Sequence, residues 1–392
     1  MINNSFFTFL IFLFGWSSPV HKSVVLEQVT IPFYTETISI KYAPEIIIPT
    51  IKKLEEEDIV RFYKQLERTP YLSVLTAFRT SQRQYALSDW LLYELVKKTI
   101  KDIYKKKPRS YQVLATWFFM SKLNYDTRLA FLGNSAYLYV KTKDNIYETP
   151  MIEEKGNRFL GLTELQYKRT NDSKGIYLLN FLAAPRGKSF SLAFTLPTLR
   201  SAIEKKDFVF QWRSKKYKVS VEVDKTLVAI MKHYPIIDES GYITAPFSKH
   251  LERSLLSQLK RIIGGKPLKQ QVEILTSFTR SAFNYKEDES YFGRSKPMIR
   301  EEVFHYPYSD CEDRTAVLYG LVDELLHLPM LVIAFSDHLT LAVAFKESIG
   351  APIKHKGRSY YICDPTGPNN SSNIGYAPKG YERQAFEILL AN

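Results

Sequence analysis

The sequence predicts an α+β protein, and three observations predict it. Runs with apolar residues at helical spacing come first and strand-like alternations follow, rather than the two interleaving. That order occurs twice, once in the first half of the chain and once at its end. Between the two copies lies a stretch whose alternation is that of antiparallel strands.

Taken in order, the chain opens on a short apolar run from Phe6 to Trp16, followed by Ser17, Ser18 and Pro19. This pattern predicts a secretory signal peptide over residues 1–22. The run is too short to span a bilayer, so no transmembrane span is expected in the mature chain. It has no Lys or Arg ahead of it and no Cys behind it, and a retained anchor is the competing reading. Export would place the protein in the periplasm or outside the cell. Residues 24–49 look extended. Helical spacing follows at 54–67, 88–104 and 111–123, then strand-like runs at 127–131, 136–140 and 159–162. Residues 208–212 and 217–223 alternate as a hairpin around Ser214, Lys215 and Lys216, with further strands expected at 176–181 and 189–196. Helices are then expected at 251–263, 270–284 and 312–327, and strands at 330–335, 339–345 and 358–363.

Composition narrows the function. The chain of 392 residues carries 54 Lys and Arg against 41 Asp and Glu, a net charge of +13. The basic residues are dispersed, so a solvated basic surface is the plain reading. Nucleic-acid binding would need a recognisable fold or a clustered aromatic-basic sheet, and neither is present. A basic surface does favour anionic cell-envelope polymers as partners. There is no Gly-rich phosphate loop and no zinc-ligand spacing, and two cysteines cannot build a thiolate zinc site. No cofactor and no metal are expected.

The chemistry concentrates between Tyr306 and Gly367. Ser309-Asp310-Cys311-Glu312 fits a capping box with Ser309 as N-cap and Glu312 at N3, which puts Cys311 in the first turn of a helix. Unpaired amides and the positive end of the helix dipole there would favour a thiolate. His338 opens an alternating run in which it shares a face with Thr340, Ala342 and Ala344. Asp364 ends a return strand. A regular hairpin centred near Ala351 would set His338 and Asp364 opposite one another, with Cys363 on the other face. A carboxylate placed so orients an imidazole, and an imidazole placed so serves a thiol. Read singly, each residue has a bland role: a small buried Cys, a strand-end His, a turn Asp before Pro365. His305, His327 and His355 are worse placed. A disulfide between Cys311 and Cys363 is not expected, since it would consume the nucleophile.

Asp310-Cys311-Glu312-Asp313, His338 and Asp364-Pro365-Thr366, in that order, resemble the pattern of the transglutaminase-like superfamily, whose core shares the papain-like arrangement. The likeness covers roughly the last third of the chain. It departs from the family in having Leu339 and Thr340 where an aromatic commonly follows the His. The resemblance implies a Cys-His-Asp triad of Cys311, His338 and Asp364 acting on amide or peptide bonds of a protein or peptide substrate through an acyl-enzyme. The Cys311 amide is expected to give one oxyanion donor and Tyr306 or Tyr308 the second. Hydrolysis is the expected outcome. An amine-accepting, cross-linking transglutaminase is one alternative; a non-catalytic envelope binding or scaffold protein with a relic triad is another.

The two copies also echo in sequence. Arg128-Leu-Ala-Phe matches Val332-Ile-Ala-Phe, and the stretch from Tyr147 resembles that from Ile349. The first copy is therefore expected to be a degenerate, non-catalytic relative. Its triad positions fall near Ser110, Asn134 and Thr163, none a Cys, His or Asp. The expected organisation is a signal peptide at 1–22 and an N-terminal α+β domain at 23–165. A β-rich linking domain at 166–246 and a catalytic transglutaminase-like domain at 247–392 complete it.

Overall fold

A computed structural model describes residues 25–49, 53–163, 176–366 and 373–392. The expected signal peptide, the expected boundary at 165/166 and Gly367 lie outside the described residues. The fold is α+β, as the segregated patterns predict.

Two five-stranded antiparallel sheets dominate. The first runs, edge to edge, Met151–Glu154, Asn157–Gly161, Ser135–Thr142, Thr127–Leu132 and Tyr177–Leu178. The second runs Ile353–His355, Arg358–Ile362, Leu339–Ala344, Met330–Ala334 and Glu387–Ala391. Position by position these are the same strand order with the same antiparallel sense. A helix precedes each and packs on its central strand: Arg109–Lys122 on Ser135–Thr142, and Cys311–Leu326 on Leu339–Ala344. The hairpins differ at their tips. Gly133 and Asn134 make a two-residue turn, with Gly133 at φ +55°, a left-handed backbone glycine adopts without strain. The equivalent loop in the second sheet has four residues, 335–338, and ends in His338.

Each sheet closes a core of its own. The first core joins Trp90, Trp117 and Phe118 to Leu138 and Leu160; the second joins Leu255, Leu275, Phe278 and Val317 to Leu341 and Cys363. Apolar burial at these positions drives both. The first unit also contains a helix that the sequence reading lacked, Leu72–Gln84, and an N-terminal hairpin, Glu27–Phe33 with Glu36–Tyr42.

The described part of the expected linking domain, residues 176–246, differs from expectation: among the described residues it has no core of its own. Leu179, Phe190, Leu192 and Leu199 belong to the first core, while Phe210, Val219, Val221 and Val223 belong to the second. Of the expected strands, 176–181 shrinks to Tyr177–Leu178, and 189–196 leaves only an isolated bridge at Phe190. The long hairpin, Ile203–Trp212 with Lys215–Asp224, does form, turning at Arg213 and Ser214. Its apolar face lies on helices Lys249–Ile263 and Leu268–Ser281 of the second unit. Alternation predicts strands but not which core receives them.

Buried Arg300 ties the units together. Its guanidinium donates to the carbonyls of Ala316, Ile243 and Ala245, the last a member of the first core. Burial pushes it down to about 10. Gly320 makes room for it; a Cβ there would overlap the guanidinium.

Candidate active site

Cys311 is the first residue of its helix. The N-cap is Asp310, not Ser309, and the reciprocal carboxylate is Asp313, not Glu312. Asp313 accepts the Asp310 N–H at 3.2 Å and the Met298 N–H at 3.0 Å, fixing the turn into the helix. Ser309 instead accepts from Arg314 at 3.2 Å. The expected cap is thus displaced by one residue, because Asp313 can hold two backbone donors at once.

His338 Nε2 lies 2.8 Å from Asp364 Oδ1. The register differs from the expected one. Ala342 faces Ile362, so Asp364 falls opposite Thr340, and His338 reaches it from two residues along the same face. Thr340 Oγ1 donates to the same oxygen at 3.0 Å, and Arg280 Nε donates to the Asp364 main-chain carbonyl at 2.7 Å. Asp364 is fully buried, and its Oδ2 has no partner among the described residues. The second imidazole nitrogen, Nδ1, takes no part in this contact.

Cys311 is brought to the same place by its helix. The Leu339 N–H points at its sulfur, and Thr315, one turn on, donates to the Leu339 carbonyl at 3.2 Å. The thiol therefore sits against the peptide that follows His338. Its own hydrogen bond goes to Glu312 Oε2 at 3.2 Å; among the described residues none joins it to His338.

The electrostatics overturn one expectation. Burial, then the carboxylates of Glu312 and Asp310, push the Cys311 thiol well above its ordinary value, outweighing the Leu339 N–H that pulls it down. The helix start alone predicts a thiolate; the acidic residues that flank the Cys reverse it. One oxygen from each of Asp288, Asp310 and Glu312 lies within 4.8 Å of the others, the one such grouping with metal-site spacing among the described residues. Burial is the first cause of the raised values of Asp288, at about 6, and of Asp310. Cys363 behaves as expected: it is fully buried in the second core, and burial pushes it up to about 12. Both thiols are free.

Two aromatic residues that the sequence reading lacked flank the site. The Tyr381 ring lies 5.0 Å from that of His338, and its hydroxyl donates to Asp337 at 3.1 Å. Burial, the Glu287 hydrogen bond and the Cys311 sulfur together raise Tyr285. Tyr306 and Tyr308 pack instead on Phe292 and Tyr291. Thr340 was legible, since it alternates onto the face of His338; Tyr381, far along the chain in a turn, carried no local signal.

Two cavities, of about 1130 and 260 Å³, are lined by none of Cys311, His338 and Asp364; the smaller lies in the first unit, and the larger reaches from it to Arg294 of the second. Chemistry rather than volume marks the triad. No helix among the described residues is long and apolar enough to cross a membrane. Comparison of the chain with protein-family models, with curated proteins and with solved structures finds no match.

Proposed function

We propose that the second unit is a transglutaminase-like cysteine hydrolase acting on amide or peptide bonds of an exported protein's substrates. The observation that carries this reading is the buried His338–Asp364 contact at 2.8 Å, held from two further sides, with Cys311 delivered beside it by a helix start. Asp364 fixes the tautomer by accepting the Nε2 proton, which leaves Nδ1 to act as base. Because the resting thiol is neutral, His338 takes its proton as the sulfur attacks the carbonyl carbon. The oxyanion is met by the Cys311 amide, one of the unpaired donors at the helix start. The imidazolium then gives its proton to the leaving amine, and a thioester remains. Water attacks that thioester, His338 accepts its proton, the carboxylic acid is released and the thiol is restored.

The raised thiol favours a second reading, a binding or scaffold protein with a relic triad. An electrophilic amide-type probe separates the two. Labelling of Cys311 that disappears in His338→Ala supports the enzyme; a folded protein left unlabelled supports the relic. With a glutamine peptide and a fluorescent primary amine, ammonia release without label incorporation is expected. Incorporation outpacing release in water would make the protein a cross-linking transglutaminase.

A further inference from the structure

The first unit has kept a cleft at the place where the second carries its triad. Leu162 N–H donates to the Leu138 carbonyl at 2.8 Å, as Cys363 N–H donates to that of Leu341 at 2.7 Å. The next residues correspond, Thr163 with Asp364, and two rungs along so do Ser135 and His338. This ladder moves the expected equivalence from Asn134 to Ser135. Ser110, in the first turn of its helix, holds the place of Cys311. These small polar side chains line the cavity of about 260 Å³. It shares Arg109, Val113 and Thr163 as walls with the larger one of about 1130 Å³.

The larger cleft has a definite chemistry. Six cations line it (Lys97, Lys98, Lys101, Arg109, Lys232 and Arg294) against the carboxylates of Glu94 and Glu148. Glu94 is already paired with Lys97 at 3.0 Å. Lys101, Arg109, Lys232 and Arg294 are exposed and form no ion pair among the described residues. They come from separate segments, so their convergence is made by the fold and not by a basic run. One accessible ring stands among them, Tyr147, 48% exposed; a second, Tyr34, is half-buried and already carries the Lys98 ammonium over its face at 5.0 Å. Converging unpaired cations call for a ligand bearing repeated negative charges. An exposed aromatic ring beside them, that of Tyr147, suits flat C–H surfaces, such as those of sugar rings, which lose water on stacking.

We propose that this cleft binds an acidic carbohydrate chain. The inference rests on the cleft and is independent of the reading of the triad. It also differs from general attraction to a chain of net charge +13, because it is local.

The test uses the full chain carrying Cys311→Ala, so that no turnover intrudes. Calorimetric titration with a short oligogalacturonate is run at about 0.15 M salt, where charges beyond about 8 Å are screened. Binding is expected, and a neutral maltooligosaccharide of equal length is expected to bind far more weakly. Lys101→Glu with Arg109→Glu should weaken binding about tenfold. Tyr147→Ala should weaken it about fivefold while leaving its salt dependence unchanged. Lys215→Glu with Lys216→Glu, exposed at the far tip of the long hairpin, should change it less than about twofold. If charge reversal in the cleft lowers the melting temperature, Lys101→Ala with Arg109→Ala reads the same loss at about threefold. Absence of oligogalacturonate binding overturns the proposal, as does an equal loss in the hairpin-tip pair. Equal affinity for polyglutamate, or indifference to Tyr147→Ala, reassigns the cleft to acidic polymers in general and overturns the carbohydrate assignment.

Discussion

The two sheets are built to one plan and do different things at the same corner. In the first, Thr163 spends its hydroxyl on the backbone, accepting the Leu138 N–H at 2.9 Å, and the corner is left as a cavity. In the second, Asp364 turns its carboxylate to His338 and Thr340. The buried charges differ in kind as well. Asp126 of the first unit is matched by Arg128 at 2.6 Å. Around Cys311 the acids crowd one another: Asp288, Asp310 and Glu312 converge. A shared frame therefore fixes where a site can be. Three side chains and the local balance of charge are what distinguish the two corners.

The widest break in the comparison is expected at the nucleophile. Cys311→Ala and His338→Ala should each lower amide turnover by about 10⁴-fold or more, to background, since triad members act as a unit. Turnover surviving in Cys311→Ala would mean that the first unit has chemistry of its own, which would end the contrast drawn here. Asp364→Asn keeps the shape and loses the tautomer control, with a loss of about 10³-fold in kcat. Thr340→Val frees the carboxylate on one side only, and a loss of about tenfold is expected. Equal losses for Asp364→Asn and Thr340→Val would show that the hydroxyl, not the imidazole contact, sets the geometry.

Much of this was legible in the sequence, for local reasons. Segregated periodicities gave the α+β class. Helix start, strand start and strand end located Cys311, His338 and Asp364, each signal needing only a few neighbours. What escaped depends on distant residues. Arg280 reaches the Asp364 carbonyl from 84 positions away, and Tyr381 covers His338 from the tail. The hairpin register was missed by two residues, which kept every side chain on its face but set Thr340 rather than His338 opposite Asp364. The linking domain failed because alternation in 203–224 does not reveal that its apolar face belongs to a neighbour's core. The thiolate failed for a different reason: the residues that oppose it, Asp310 and Glu312, were in plain view, but their burial was not.

The crowded acids should make stability depend on pH, and the second unit should carry the dependence. Glu301 is fully buried, one of its oxygens is unpartnered, and burial pushes it up to about 7 from an ordinary 4.5. A folded value above the unfolded one favours the protonated fold. Its contribution is full below about pH 4.5 and is lost as pH rises through about 7. Asp288 acts in the same sense, at about 6. The urea midpoint should accordingly be higher near pH 5 than near pH 8. Glu301→Gln should reduce that difference, by about 1–3 kcal/mol in unfolding free energy. A midpoint that rises with pH in the unaltered protein would show that these carboxyls are not buried as described.

The smallest effect bears on the thiols. Cys311 is raised first by burial and then by Glu312, whose oxygen lies 3.2 Å from the sulfur. Glu312→Gln keeps a polar side chain of similar shape there and removes the charge. The thiolate fraction near neutral pH should rise, and alkylation of Cys311 by iodoacetamide should quicken about threefold, the share of a raised value that one nearby carboxylate supplies. Cys363 should stay unmodified in both proteins, since it is fully buried, burial is the first cause that pushes it up to about 12, and Glu312 is not among the acids that raise it. Mass spectrometry of the native, briefly alkylated chain reads the two sites together. Faster labelling of both cysteines would point to a loosened core instead of a released charge. Labelling of Cys311 unchanged by Glu312→Gln would leave burial as the sole cause of its reluctance and remove Glu312 from the site.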